Sequence, residues 1–158
     1  MRRNDREITD RNHINDIIAG SRYLHLGLID SDYPYVVPLH YGYRSDEGKL
    51  ILYIHCAMQG HKLDCITANP NVFVQIDRGE EVKAAETPCG YGARYESVMA
   101  RGKASILNDD TDRDEKVLAL RLLMKGQTGR DIEITENMAK SVKIIRVVAE
   151  TITAKACK

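Results

Sequence analysis

Long apolar runs are missing from this sequence. No stretch approaches the ~20 residues that a membrane-crossing helix needs, so no membrane partner is expected. A charge excess of either sign is also missing, since 23 Lys and Arg balance 23 Asp and Glu. Without a whole-protein field, nucleic acid is not an expected partner either. The same neutrality leaves little repulsion to oppose self-association. The four cysteines, Cys56, Cys65, Cys89 and Cys157, form no C-x-x-C pair and read as small buried or surface thiols. No repeat, low-complexity tract or Pro/Gly-rich linker divides the chain. There is no G-x-G-x-x-G, no G-x-x-x-x-G-K-[ST] and no G-x-S-x-G. A dinucleotide Rossmann site, a P-loop and a hydrolase elbow are therefore unsupported. The opening Met1-Arg2-Arg3-Asn4-Asp5-Arg6-Glu7 is charged, with no apolar segment behind it, and does not read as a secretory signal. The expectation is a cytoplasmic protein with reduced thiols, organised as one domain over residues 1–158.

What is present is an ordinary globular composition, 43% apolar and 29% charged. A chain of 158 residues buries roughly two-thirds of its unfolded surface, enough for a real core. Asp10 is placed to cap a helix carrying Ile14, Ile17 and Ile18 and ending at Gly20. A strand over Tyr23–Ile29 turns Leu24, Leu26 and Leu28 one way and Tyr23, His25, Gly27 and Ile29 the other. After a turn at Asp30-Ser31-Asp32-Tyr33-Pro34, Tyr35–Tyr43 reads as one strand, with Pro38 marking an edge or a bulge. A second turn, Ser45-Asp46-Glu47-Gly48, leads to Lys49–His55. These three strands suggest a meander. A short helix over Gly60–Ala68 precedes a strand at Asn71–Asp77 and a polar connection at Gly79–Tyr91. A long strand covers Tyr95–Leu107, with a bulge expected at Gly102. A helix over Thr111–Lys125 presents Val117, Leu118, Leu120, Leu122, Leu123 and Met124 as its apolar side and breaks at Gln127-Thr128-Gly129. Thr135 is placed to cap a turn near Glu136–Lys140, and Val142–Thr153 is the last strand. About six strands and two to four helices predict a mainly β fold, a closed antiparallel barrel with peripheral helices.

Three stretches are candidates for chemistry. In His55-Cys56-Ala57-Met58-Gln59-Gly60-His61-Lys62-Leu63 a strand ends and a helix opens. Its first amides and macrodipole suit a phosphate, Gly60 admits close approach, and His61 and Lys62 add donors. An ordinary strand-to-helix connection with a solvated Lys is the plain alternative. On the neighbouring strand, His40 and Tyr41 can crowd Tyr53 and His55, which suggests a planar phosphorylated ligand or simply a half-buried sheet surface. Arg94-Tyr95-Glu96-Ser97 packs charge, phenol and hydroxyl into a strand start, either as a ligand or subunit-contact edge or as an exposed Arg–Glu pair. A zinc site from His40, His55, Cys56 and His61 matches no standard spacing, so no metal is expected.

The sequence resembles the nitroimidazole-resistance (Nim) proteins, which are pyridoxamine 5′-phosphate oxidase-like flavoproteins. The resemblance rests on Met1-Arg2-Arg3, Gly27-Leu28, Tyr33-Pro34-Tyr35-Val36-Val37-Pro38, Gly48-Lys49-Leu50 and Leu52-Tyr53-Ile54-His55. It continues through Gly60-His61-Lys62-Leu63-Asp64, Asn69-Pro70 and Tyr91-Gly92-Ala93-Arg94-Tyr95-Glu96-Ser97-Val98, and covers the chain to about Leu123. It implies a six-stranded FMN-binding split β-barrel and a homodimer with flavin at the interface. By the same resemblance, Val37, Pro38, Leu39, His40 and Tyr41 line the flavin ring and His55 closes its pocket. Gly60, His61, Lys62 and Leu63 hold the phosphate, while Arg94, Tyr95, Glu96 and Ser97 approach from the partner subunit or the adjoining wall. The function implied is a flavin-dependent oxidoreductase using FMN or FAD to reduce small nitroaromatic (5-nitroimidazole-like) or related acceptors. His55 and His40 are the expected proton suppliers, because imidazole titrates near neutral pH. The alternative is a heme- or flavin-binding module without turnover, since histidines at a barrel mouth can ligate heme iron.

Overall fold

A computed structural model describes residues 3–46 and 48–157, with Glu80 described by its backbone alone. Met1, Arg2, Glu47 of the expected turn, and Lys158 lie outside the described residues. In chain order the elements are β1 (Glu7–Ile8), α1 (Arg11–Gly20), β2 (Tyr23–Asp30), β3 (Tyr33–His40), β4 (Gly42–Asp46) and β5 (Lys49–Cys56). After these come α2 (His61–Ala68), β6 (Asn71–Lys83), β7 (Gly92–Ile106), α3 (Arg113–Thr128), α4 (Glu136–Ala139) and β8 (Lys143–Cys157). The class is mainly β, as expected, but among the described residues the strands number eight, against about six expected. They form one antiparallel sheet in the order β3-β2-β6-β7-β8-β5-β4, with β1 on β8.

The largest departure from expectation is the strand predicted over residues 35–43, which is two strands. β3 pairs with β2 at one rim of the sheet, whereas β4 pairs with β5 at the other. Pro38 therefore faces His25 and does not pair with Lys49–His55. Its missing N–H falls on the rim strand, where no ladder bond is lost. A single residue, Tyr41, carries the chain across the split. Its side chain is buried, and its hydroxyl donates to the Ile18 carbonyl at 2.5 Å. Gly42 follows because α3 lies directly against the backbone there. An added Cβ would come within 2.4 Å of the Leu123 amide nitrogen.

The barrel core takes Leu24, Leu26 and Leu28 from β2, Leu50, Leu52 and Ile54 from β5, and Val72, Val74 and Ile76 from β6. Ile17 and Ile18 of α1 and Leu63 and Ile66 of α2 pack against it. Each such side chain contributes about 1.5–3 kcal/mol of burial. The alternate residues of β5, Ile51 and Tyr53, join a second cluster with Leu107, Ala119 and Ile144 on the outside, beneath α3. Buried on both faces, β5 shows no alternation.

Local caps follow the sequence. Asp10 accepts from the Asn12 amide, Thr135 accepts from Met138, and Gly129 ends α3 at φ 71°. The α3 core face differs from expectation. Lys116, Ala119 and Leu123 are its buried residues, with Leu120 and Leu122 only partly buried. Lys116 is 2% exposed, and its ammonium donates to Asp109 Oδ1 (2.5 Å) and the Val142 carbonyl (3.0 Å). β6 runs on to Lys83, past the expected end, through an irregularity between Arg78 and Glu81. The bulge expected at Gly102 exists, but its extra residue is Glu150 on β8. The register steps from Arg101↔Thr151 to Gly102↔Ala149, and a Cβ on Gly102 would meet the Val148 carbonyl oxygen at 2.2 Å.

Candidate functional site

β5 ends at Cys56, and the exposed residues Ala57, Met58, Gln59 and Gly60 then cross the surface to open α2. Gly60 sits at φ 149°, ψ 156°, a region occupied almost solely by glycine. Nothing lies within 4 Å of the place its Cβ would fill. No side chain caps the helix. The Leu63 amide donates back to the Gly60 carbonyl at 2.8 Å. The first amides of α2 thus face outward at the positive end of the helix dipole, beside the cation of Lys62. Leu63 is buried in the core, so its side chain takes no part at this surface.

β3 runs alongside this loop. Val37 and Leu39 pack inward, while Pro38 and His40 are exposed. Continuing the β4–β5 register (Gly42↔Tyr53) beyond Tyr41 sets His40 opposite His55. His40 Nδ1 lies 3.0 Å from the Arg22 carbonyl. A carbonyl only accepts, so Nδ1 carries the proton. His55 is exposed at the strand end, yet desolvation of its ring, and then the charge on His40, lower its pKa below the ordinary value. At the other end of β3, the Tyr35 ring lies 5.1 Å from that of His61, tilted by 55°. The six residues from Tyr35 to His40 span roughly 16 Å, bordered by the His55–His61 loop.

The remaining sequence candidates fall elsewhere. Tyr41 is in the core. Tyr53 faces α3 and donates to Glu115 Oε1 at 2.6 Å, its pKa pushed up to about 12 by burial and then by that carboxylate. Arg94 donates to Glu81 at 3.2 Å, and the Lys155 ammonium stands 5.5 Å from the Tyr95 ring centre. Glu96 accepts from His13 Nε2 (2.5 Å) and Arg78 Nε (2.7 Å). Burial raises its pKa, but these two hydrogen bonds outweigh that and the net shift is downward. Ser97 is 3% exposed, and its hydroxyl oxygen has no hydrogen-bond partner among the described residues. The register sets Asp77 opposite Ser97, and extrapolating Gly27↔Phe73 sets Asp30 level with Pro70. Seven residues then separate Ser97 from the His61 end, roughly 23 Å. Within one chain the Arg94–Ser97 stretch does not form a wall beside the Gly60 loop.

Sequence reasoning missed two residues here. Asp30 Oδ2 is 2.6 Å from His61 Nε2, and Cys65 Sγ is 3.6 Å from the same nitrogen. The His61-to-Cys65 spacing of four on one helix was legible. Asp30, in a turn remote in sequence, was not. Of the four residues weighed for zinc, His61 alone joins this group.

The pyridoxamine 5′-phosphate oxidase family profile matches residues 10–156. No curated protein matches the sequence. Among solved structures, the chain is similar to a candidate 5-nitroimidazole antibiotic resistance protein from Bacteroides thetaiotaomicron. The identity is 30%, the TM-score 0.79, and 95% of this chain and 86% of that one are covered. An FAD and heme binding protein from Mycobacterium smegmatis shares the fold at 17% identity, TM-score 0.79, covering 97% and 74%. An FAD-binding protein from Mesorhizobium loti shares it at 22% identity, TM-score 0.70, covering 97% and 98%. No helix among the described residues is long and apolar enough to cross a membrane.

Proposed function

We propose that this chain, which belongs to the pyridoxamine 5′-phosphate oxidase family, is a flavin-dependent oxidoreductase acting on small nitroaromatic (5-nitroimidazole-like) or related acceptors. FMN is the cofactor favoured, with FAD the alternative. The observation that carries the reading is the bare start of α2, where Gly60 leaves open space, no side chain caps the helix, and two exposed histidines, His40 and His55, stand at the ends of β3 and β5. These residues fit a phosphorylated planar group. The amides of His61 and Lys62, with the Lys62 ammonium, would hold phosphate. The exposed face of β3 at Pro38 and His40, with His55, would border the ring. A bound flavin supplies the electron transfer.

The chain's own part is positioning and proton supply. His55, held below its ordinary pKa, is neutral at pH 7, with one ring N–H to donate and one nitrogen to accept. His40, fixed by the Arg22 carbonyl through Nδ1, turns Nε2 outward. Neither ring needs to rotate to exchange a proton with a small acceptor between them.

A second copy of the chain completes the proposal. Ile29, Val36 and Phe73 are exposed on the outer sheet face, beside Arg101 and Glu150. An apolar patch holding one charge of each sign is self-complementary under a two-fold axis. Arg94–Ser97, too distant in its own chain, would then be supplied by the partner. A second reading, heme in place of flavin, draws on the facing imidazoles of His40 and His55.

The absorption spectrum of the purified protein separates these readings. Two broad near-ultraviolet and blue bands, lost in Lys62→Ala, are expected. A Soret band that disappears in His40→Ala or His55→Ala would replace flavin by heme. Flavin retained in His55→Ala with nitroaromatic turnover unchanged would remove the role given to His55.

A further inference from the structure

Three possible metal-ligand atoms converge at one place near this surface. Asp30, at the end of β2, and Cys65, one turn along α2 from His61, both address His61 Nε2, at 2.6 and 3.6 Å. That nitrogen holds at most one proton. If it donates to the Asp30 carboxylate, the Cys65 thiol loses it as an acceptor. If it accepts from the thiol, its lone pair meets the carboxylate oxygen. The thiol is 5% exposed, and one proton on Nε2 cannot serve both neighbours at once.

A cation among the three resolves the conflict. We propose that Asp30, His61 and Cys65 form a binding site for a divalent zinc-class metal ion. Each supplies one ligand atom, and the three atoms lie within 4.8 Å of one another. Zinc bonds of about 2.0–2.3 Å put tetrahedral ligands ~3.3–3.8 Å apart. The His61–Cys65 pair already has that separation, and the carboxylate needs to withdraw by less than ~1 Å. Carboxylate, thiolate and imidazole are zinc's usual ligand types. The two anionic ligands cancel the ion's charge, so the occupied site carries no net charge beside the core. The tilted Tyr35 ring packs against the imidazole from one side. Asp30 and His61 are 37% and 54% exposed at their side chains, which leaves a fourth position open to water or a small anion. On binding, the S–H bond breaks, sulfur bonds to the metal, and the thiol proton leaves to solvent. A proton on Nε2 moves to Nδ1 by way of solvent. No electron is transferred.

This inference goes beyond the flavin reading, which uses only the backbone amide of His61. The test uses full-length protein stripped with a chelator, titrated with Zn2+ against a chromogenic zinc indicator and separately with Co2+. One zinc per chain, release of a proton, and a near-ultraviolet thiolate-to-cobalt charge-transfer band are expected. His61→Ala and Asp30→Asn, both at exposed positions, should weaken binding by more than the roughly 10–100-fold typical of outer-shell changes. Cys65→Ser should abolish the cobalt band. Cys89→Ser should change neither. Absence of one-to-one binding, or a band that survives Cys65→Ser or is lost in Cys89→Ser, would overturn the proposal. Flavin retention in His61→Ala reads the other hypothesis separately.

Discussion

The starts of α2 and α3 use opposite strategies. No side chain caps the first amides of either helix, but the loop ahead of α3 is tied by its own side chains. Asn108 accepts from the amides of Asp110 and Thr111, its own amide donates to Asp112, and Asp109 takes both Lys116 and Lys143. At α2 the cap is a glycine with empty space beside it, and three side chains compete for one proton. The difference lies in the loop, which is braced by side chains at α3 and is open glycine at α2, and a ligand is the simplest use of what is left open.

The contrast is broken most severely by Lys116→Ala. It removes a buried ammonium that pairs with Asp109 in the loop before α3 and donates to the Val142 carbonyl just before β8, and about 3 kcal/mol of unfolding free energy should be lost, read by urea denaturation. Partly exposed Asp109 keeps Lys143, so the loss falls at the low end for buried pairs. Gly60→Ala tests the other start. Backbone strain alone should cost about 1–3 kcal/mol, since no contact obstructs the methyl group, and flavin retention should fall with it. Unchanged stability there would mean that the loop is soft and not pre-formed.

Two pH experiments sharpen the comparison at smaller scale. The hydrogen bonds from Lys116 and then Lys143 hold the Asp109 carboxyl below its ordinary value. Its contribution is present above the unfolded carboxylate pKa, about 3.9, and is lost as pH falls through the lower folded value. Asp109→Asn should therefore lower stability at neutral pH and flatten its fall in acid. The smallest effect concerns His55, whose ring should titrate below about 6.5 by NMR. His40→Asn should move it partly back up, because His40 is the lesser cause and desolvation remains. No movement would show that the two rings do not sense each other.

What was legible in the sequence was local. Leu24, Leu26 and Leu28 alternate because β2 has one inner face, and Asp10, Thr135 and Gly129 stop and start helices through contacts within four residues. The partners that decided the rest are remote in sequence. Nothing in Pro38–Tyr43 announces that the chain leaves one rim of the sheet for the other at Tyr41. Lys116 reads as a solvated lysine until Asp109 and the Val142 carbonyl surround it. The Gly60 loop was readable as a strand-to-helix junction with glycine and cations. The place of Asp30 beside it depends on β2 ending there, which no spacing reveals.

The passage at Tyr41 has a mechanical meaning. The rims at β3 and β4 are joined by covalent bonds at a single corner, and the phenol is anchored to α1 by its hydroxyl. Away from that corner the gap is free to widen and narrow without unzipping a ladder. The gap is therefore held where His40, next to the corner, faces His55, and is most compliant toward Tyr35 and His61. A ligand seated there would act as a wedge in a clasp, and slowed amide exchange in β3 would register its arrival before any change in global stability.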